Sequence, residues 1–367
     1  MTLEFSLTSG ILCSVSNRLL PNWSINLRVN SSAVHTQVIS NIRQMKRKLL
    51  LSLLRILLGV GVVLVAIWIY IAQPTIRENS QSELSVDVQR LQSHVEALSK
   101  EYYPRNHTEL ENLNKSLDYI KGHFENAGAN VELQEFVVSR RIYTNVIGRF
   151  GKGKGRKLIL GAHYDSHEQT PGADDNASGV AGLIEIAYLL GKTDADREIE
   201  LVAYTLEEPP YFASSSMGSY AHAAKIKEEK KGIEGVIVLE MIGYFSDEWG
   251  SQSYPMPLLK IIYPNRGNFL AIVGRLDQRE FTKNIKIGMK GATDLPVYSI
   301  NGPESLPGID FSDHRNYWPL GINAVMVTDT AFYRNKEYHK LEDTFERLDY
   351  KRMAKVVISV FEAIRKM

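Results

Sequence analysis

The longest uniform stretch of the chain is apolar. Across residues 49–72 only Ser52 and Arg55 interrupt it, and no charge falls between Ile56 and Ala72. A hydrocarbon core needs about 20 apolar residues to span it, so this run predicts a transmembrane helix. Arg55 lies near the basic end, within snorkelling reach of the interface. Trp68 and Tyr70 lie near the other end, as interfacial aromatics do.

Beyond the run the pattern breaks into short elements. Residues 73–83 are polar with one proline and read as a linker. Leu84, Val88, Leu91, Val95 and Leu98 recur at three- and four-residue steps and predict an amphipathic helix. A second helix covers 109–127 and stops at Gly128. Strands are predicted at 131–138, 143–150 and 157–162, with Gly151-Lys-Gly-Lys-Gly155 as a hairpin turn between the last two. No P-loop pattern accompanies those glycines. Residues 178–190 are apolar almost all round, which marks a buried helix. Short apolar runs at 199–206 and 235–239 are strands of the kind found inside mixed or parallel sheets. A helix at 217–230 lies between them, and a further strand is predicted at 322–327. Residues 351–366 form a last helix, with Met353, Val356, Val357, Val360, Phe361 and Ile364 on one face. Strands alternating with helices predict an α/β fold: a mixed, mostly parallel central sheet flanked by helices, after one N-terminal transmembrane helix.

Charge changes this picture only at the N-terminus. Over 367 residues Lys+Arg is 43 and Asp+Glu is 42, and a net charge of +1 argues against a nucleic-acid partner. The single cysteine, Cys13, excludes an internal disulfide framework and a Cys-based zinc finger. The first 48 residues hold six Lys/Arg and one acid, Glu4. The positive-inside rule keeps 1–48 cytoplasmic, treats 49–72 as a signal-anchor, and puts the rest in the periplasm or outside the cell. A cleaved signal peptide is the competing reading; its apolar region would be unusually long, and no clear small-x-small site follows. Met45 opens a second basic start, Met-Lys-Arg-Lys, so residues 1–44 are expected to be a start-site artefact. Residues 73–83 then link to a catalytic domain at 84–367. The sequence fixes no oligomeric state.

The polar residues gather where strands end. Residues 157–162 run into His163-Tyr164-Asp165, 199–206 into Glu207-Glu208, and 235–239 into Glu240; Asp174-Asp175-Asn176 precedes the buried helix. Ligands of open α/β sheets bind beyond the carboxyl ends of the strands, so these residues converge on one crevice. Carboxylates crowded together repel one another. Divalent cations remove that repulsion, and a histidine–carboxylate donor set suits zinc. Asp165 is placed to accept the second ring N–H of His163 and fix its tautomer.

At this point the residues resemble a known family. Gly161-Ala-His163-Tyr-Asp165-Ser, Gly172-Ala-Asp174-Asp175-Asn-Ala-Ser-Gly179, Glu207-Glu208, and His339 followed by Glu342-Asp343-Thr344 are similar to the M28 peptidases, co-catalytic zinc amino- and carboxypeptidases. The resemblance covers residues 86–365 and implies a zinc-exopeptidase-like α/β/α sandwich. It implies two zinc ions, with Co2+ or Mn2+ as alternatives: His163 and Glu240 on one, Glu208 and His339 on the other, and Asp175 bridging. Glu207 is then the general base for a two-metal-activated water that cleaves a peptide substrate. A cis peptide at Asp175-Asn176 is implied as well. Many aminopeptidases of the family have Asp where this chain has Glu240, whereas related carboxypeptidases have Glu, so the direction of trimming stays open with aminopeptidase favoured. A glutaminyl cyclase shares the fold but works with one zinc, and some relatives are receptors that lost their ligands. Asp313-His314 reads as structural or substrate-side, His167 as a polar loop residue, and Arg315, Tyr333 and Arg334 as candidate substrate contacts.

Overall fold

Strands without a polar interruption belong where both faces are covered. In the computed structural model of the chain that is where they lie. The structure describes residues 4–7, 11–14, 27–29, 31–76 and 78–367. These fall into two units, Met1–Ile67 and Trp68–Met367.

In the first unit, β1 (Glu4–Leu7), β2 (Ile11–Ser14) and β3 (Leu27–Val29) form a small antiparallel sheet. Helix α1 (Ser31–Ala72) follows and runs into the second unit. Its stretch Val34–Ala72 is long and apolar enough to cross a membrane. It begins well before the apolar run, because residues 31–48 contain no proline or glycine to stop a helix. The remaining residues of the segment expected to be a start-site artefact lie outside the described residues.

The second unit contains β4 (Asn130–Val138), β5 (Arg141–Phe150), β6 (Lys157–His163), β7 (Ile199–Tyr204), β8 (Ile233–Glu240), β9 (Leu270–Arg275), β10 (Val297–Gly302) and β11 (Ala324–Thr328). They pair in the order β10-β9-β11-β8-β6-β7-β5-β4. The four central strands, β11, β8, β6 and β7, are mutually parallel. Pairing turns antiparallel on either side of them, at β9 and at β5. All four central strands therefore deliver their carboxyl ends to one edge of the sheet. β6 and β5 are not neighbours, since β7 lies between them. The Gly151–Gly155 stretch is thus a crossover connection rather than the expected hairpin turn, and Lys152 and Lys154 tie it to Asp194 and Asp196.

Helices α2 (Val88–Glu96), α3 (Leu110–Asn126), α4 (Gly179–Leu190), α7 (Arg279–Met289) and α8 (Tyr350–Lys366) pack on one face. The other face carries α5 (Gly218–Lys225) and a 3-10 turn, Asp313–Leu320, and a one-turn helix α6 (Leu259–Ile262) lies near its edge. The amphipathic period begins at Leu84, but Asp87 caps the first helix by accepting from the N–H groups of Gln89 and Arg90, so α2 starts at Val88. Residues 270–302 supply β9, α7 and β10, which the hydrophobic pattern did not predict. Ser299 and Asn301 interrupt β10, and Gly274 weakens the apolar run of β9.

The polar stretch after Ala72 lies along this unit. Arg279 Nε donates to the Tyr70 carbonyl, Lys286 Nζ to the carbonyls of Ala72 and Gln73, and the Asn79 and Ser82 N–H groups to the carbonyls of Lys290 and Ala292.

Candidate metal centre

The expected donors meet at the carboxyl edge of the central strands, and all but His339 are buried. His163 ends β6. Its Nε2 lies 3.3 Å from Asp175 Oδ1 and 3.4 Å from Glu240 Oε2. His339 Nε2 lies 3.1 Å from Asp175 Oδ2 and 3.1 Å from Glu208 Oε2. The two histidines thus divide the carboxylates into two sets that share Asp175. Donor atoms of His163, Asp175 and Glu208 all lie within 4.8 Å of one another. Glu207 is set back, with Oε2 3.9 Å from His163 Nε2.

Backbone and supporting side chains fix each position. Asp165, expected to hold the His163 ring with its carboxylate, does so more closely with its carbonyl, 3.1 Å from Nδ1; its carboxylate oxygen lies at 3.5 Å. That carboxylate instead accepts the N–H groups of Glu207 and Glu208, at 3.2 and 3.1 Å, and so ties the end of β7 to the end of β6. The Asp343 carboxylate accepts the N–H groups of Asp174 and Asp175. The peptide bond between Asp175 and Asn176 is cis, as the resemblance implied. Asn176 bridges to β8, donating to the Leu239 carbonyl and accepting from the Met241 N–H. Leu206, Met241 and His339 have φ of 60°, 49° and 59°, a left-handed conformation that is unfavourable for a side chain larger than glycine. Each is a donor residue or adjoins Glu207 or Glu240, which is where proteins concentrate such strain.

The electrostatics are unbalanced. Burial pushes Glu208 up to about 8, with Asp175 adding to the rise. Burial also raises Glu207 and Glu240. Burial would lower His163, but Glu240, Glu207, Asp165 and Asp175 outweigh it and raise it well above its ordinary value. His339 is raised to about 10 against burial by Asp175 and Glu208. Two rings cannot neutralise this many carboxylates. Asp175 Oδ2, Glu208 Oε1 and His339 Nε2 are buried and make no well-formed hydrogen bond among the described residues. Crowded, unsatisfied oxygen and imidazole donors are what a divalent cation requires, so these residues fit a metal.

Several side chains escaped sequence reasoning. The His167 ring stacks on His339 at 3.8 Å, and the Tyr338 ring packs at 3.7 Å. Arg105 is fully buried and donates to the carbonyls of Tyr164, Leu98 and Gly172, holding the chain before Asp175. Ser312 Oγ donates to Glu240 Oε2 at 2.6 Å. No spacing rule links these positions to the donors. Only the run Ser312-Asp313-His314 was visible, and Asp313 is buried beside the site with both oxygens unpartnered among the described residues. Arg334, a candidate substrate contact, is buried and donates to Gln252 and to the carbonyls of Tyr244 and Phe269. Arg315 is paired with Asp310.

A mixed α/β sheet thus carries a buried histidine–carboxylate cluster at its strand ends, the donor set of a metal-binding site. The family model for peptidase family M28 matches residues 145–364, and the chain belongs to that family. It is 44% identical over 296 residues to the uncharacterized protein YfbL of Escherichia coli, covering 78% of this chain and 91% of that one. It is 26% identical to leucine aminopeptidase 1 of Paracoccidioides brasiliensis, covering 62% of this chain and 55% of that one. The chain spans about half the length of the leucine aminopeptidases it matches. Its fold is similar to a zinc aminopeptidase from Bacillus subtilis, with a TM-score of 0.60, 16% identity, and coverage of 77% of this chain and 95% of the other. A glutaminyl cyclase from Fimbriiglobus ruber gives a TM-score of 0.57, 21% identity, and coverage of 80% and 99%.

Proposed function

We propose that this chain is a membrane-anchored, zinc-dependent exopeptidase that works outside the cytoplasm and removes amino-terminal residues from peptides. The observation that carries the reading is the pair of donor sets sharing Asp175, with oxygens that no group among the described residues satisfies. His163, Glu240 and one oxygen of Asp175 would hold one zinc; Glu208, His339 and the other oxygen would hold the second. Co2+ or Mn2+ suits the same donors. When bound, such ions supply Lewis acidity, which acidifies water and polarises a carbonyl.

The chain's own residues do the rest. Glu207 lies beside the donors without belonging to either set, and it takes the proton from the attacking water and passes it to the leaving amine. Asp165 positions it through the Glu207 N–H. Ser312 orients Glu240. Residues 49–72 are the anchor, 73–83 the connection and 84–367 the peptidase. The apolar helix supports the anchor, and the names of the aminopeptidase relatives support the direction.

A single-zinc, glutaminyl cyclase-like acyl transfer is the second reading. The compact His163–Asp175–Glu208 group and the cyclase fold match favour it. Zinc per full-length chain, measured by elemental mass spectrometry beside assays on leucine amide and on an amino-terminal glutamine peptide, separates them. Two zinc ions with leucine release are expected. One zinc with glutamine cyclisation moves the assignment to the cyclase, and no zinc after reloading rejects both.

A further inference from the structure

A cavity of about 110 Å3, open to solvent, begins at Glu240 and continues away from the donors. Strand register shows how far. Glu240 pairs with Thr328, Thr328 with Ala271, and Ala271 with Tyr298. All four line the cavity. They make one row across β8, β11, β9 and β10, about 14 Å long at the usual strand spacing of about 4.8 Å. A second row, Met326–Val273–Ile300, lies beside it on the same face. A leucine side chain held at Glu240 would cross roughly one strand spacing, ~5 Å, and leave the rest of this floor uncovered.

The walls are apolar in effect even where they carry oxygen. Tyr254 OH donates to the Pro264 carbonyl and Tyr263 OH to the Ser299 carbonyl. Gln252 donates to Ser253 and Thr330 and accepts from Arg334. Ser299 Oγ donates to the Ala72 carbonyl. Among the lining tyrosines only the hydroxyls of Tyr298 and Tyr338 make no hydrogen bond among the described residues. A peptide laid along the floor would bury backbone N–H and C=O groups with few partners, which is costly. An alkyl chain has no such groups.

The far wall bears on where such a chain comes from. Leu259 and Tyr263 line the cavity and also pack on Ala72, the last residue of the apolar helix. The inner end of the cavity is therefore built against the point where the polypeptide leaves its apolar run.

We infer that the substrate is an acyl amide whose acyl part carries a long unbranched apolar chain, laid from Glu240 across Thr328 and Ala271 to Tyr298. The inference rests on the proposed amide hydrolysis and narrows it to amphiphiles of the kind that partition into a bilayer.

The test uses the full chain, zinc-loaded, in phosphatidylcholine nanodiscs. The probes are the 4-nitroanilides of leucine, 2-aminooctanoic acid and 2-aminododecanoic acid, and dodecanoyl 4-nitroanilide, which lacks the amine. kcat/KM is expected to rise roughly fourfold per added methylene and then to level once the chain spans the floor. Cleavage of the dodecanoyl anilide would assign an amidase, and its resistance an aminopeptidase. Ala271→Phe, which fills the middle of the floor, should remove most of the gain of the long chain over leucine. A flat or falling series with leucine still released overturns the inference and leaves the hydrolase standing. Failure of every anilide, leucine included, overturns the hydrolase reading. Calorimetric binding of N-methyldodecanamide, compared with Ala271→Phe to subtract lipid partitioning, then decides the cavity alone: saturable binding lost in the variant supports it, and equal signals reject it.

Discussion

Two buried charged clusters lie on the same sheet, joined by β7, and they solve the same problem in opposite ways. At Glu200, inside β7, the carboxylate meets Arg149 at 2.8 Å, Lys157 at 3.4 Å and His222 at 3.1 Å. His222 passes its other nitrogen to Tyr317, which meets Tyr204. Burial would raise Glu200, but His222, Lys157 and Arg149 outweigh it and hold it at about 2. Just past the end of the same strand, Glu208 is pushed up to about 8 by burial and by Asp175. The first cluster carries its own counter-charges and is complete. The second has too few among the described residues, and under the proposed function its missing positive charge comes from bound metal. A buried carboxylate is thus a structural element or a binding site according to what the protein has placed around it.

The largest expected effect sharpens the second cluster internally. Glu207→Gln keeps the donor sets and removes the proposed base. Turnover of leucine 4-nitroanilide should fall by about 10³-fold while metal content stays unchanged. If that variant loses metal instead, Glu207 belongs among the ligands.

The next compares the clusters directly. A ligand that binds only the folded state at 100 to 1,000 times its dissociation constant stabilises by about 3–4 kcal/mol. Melting of the wild-type chain should therefore shift down on chelation. Asp175→Asn removes the shared carboxylate, so its melting should be insensitive to chelator and its zinc content low. Chelator-sensitive melting that survives in Asp175→Asn would place the metal elsewhere.

Glu200→Gln is the converse. Truncating one partner of a buried ion-pair cluster costs about 3–5 kcal/mol in general, and less here because Arg149 and Lys157 are part-exposed. Stability to urea should drop by about 2 kcal/mol, with zinc content and kcat/KM unchanged within about twofold. Metal loss in Glu200→Gln would mean that the two clusters are not independent.

The sequence displayed the second cluster far better than the first. His163, Glu208 and Glu240 stand out because each breaks an apolar strand at its end, where a polar residue has no packing reason to be. Glu200 and His222 show no such mark: one sits inside a strand, the other in a helix, and only the fold brings them together. The fold was legible in the central strands for the same reason, since both of their faces are buried and their apolar runs are continuous. It was not legible in β9 and β10, where Gly274, Ser299 and Asn301 blur the run. Those are the strands that extend the cavity floor, so the donors could be read from the sequence while the cavity could not. Arg105 was missed as a support because a long-range partner leaves no periodic signal.

A third buried charge gives the smallest effect and the finest test of the comparison. Among the described residues Lys286 faces no carboxylate. Its ammonium donates to the carbonyls of Ala72 and Gln73 and to Ser299 Oγ, and burial, with Lys290 adding to it, lowers its pKa to about 8. Neutral dipoles replace the water it loses only in part. A lysine depressed in the folded state opposes folding while it stays charged. Below about pH 8 both states hold the proton and the penalty is full. From about 8 to 10.5 the unfolded chain keeps the proton and the native chain does not, so stability from this group rises with pH across that window. Lys286→Met removes the titration, though it also removes three hydrogen bonds and lowers stability at every pH. The pH slope separates the two effects: between pH 8 and pH 10 the urea midpoint of the wild type should rise relative to that of Lys286→Met. Parallel curves would show that carbonyl dipoles solvate the ammonium as well as water does, and that a buried charge does not always need a counter-charge.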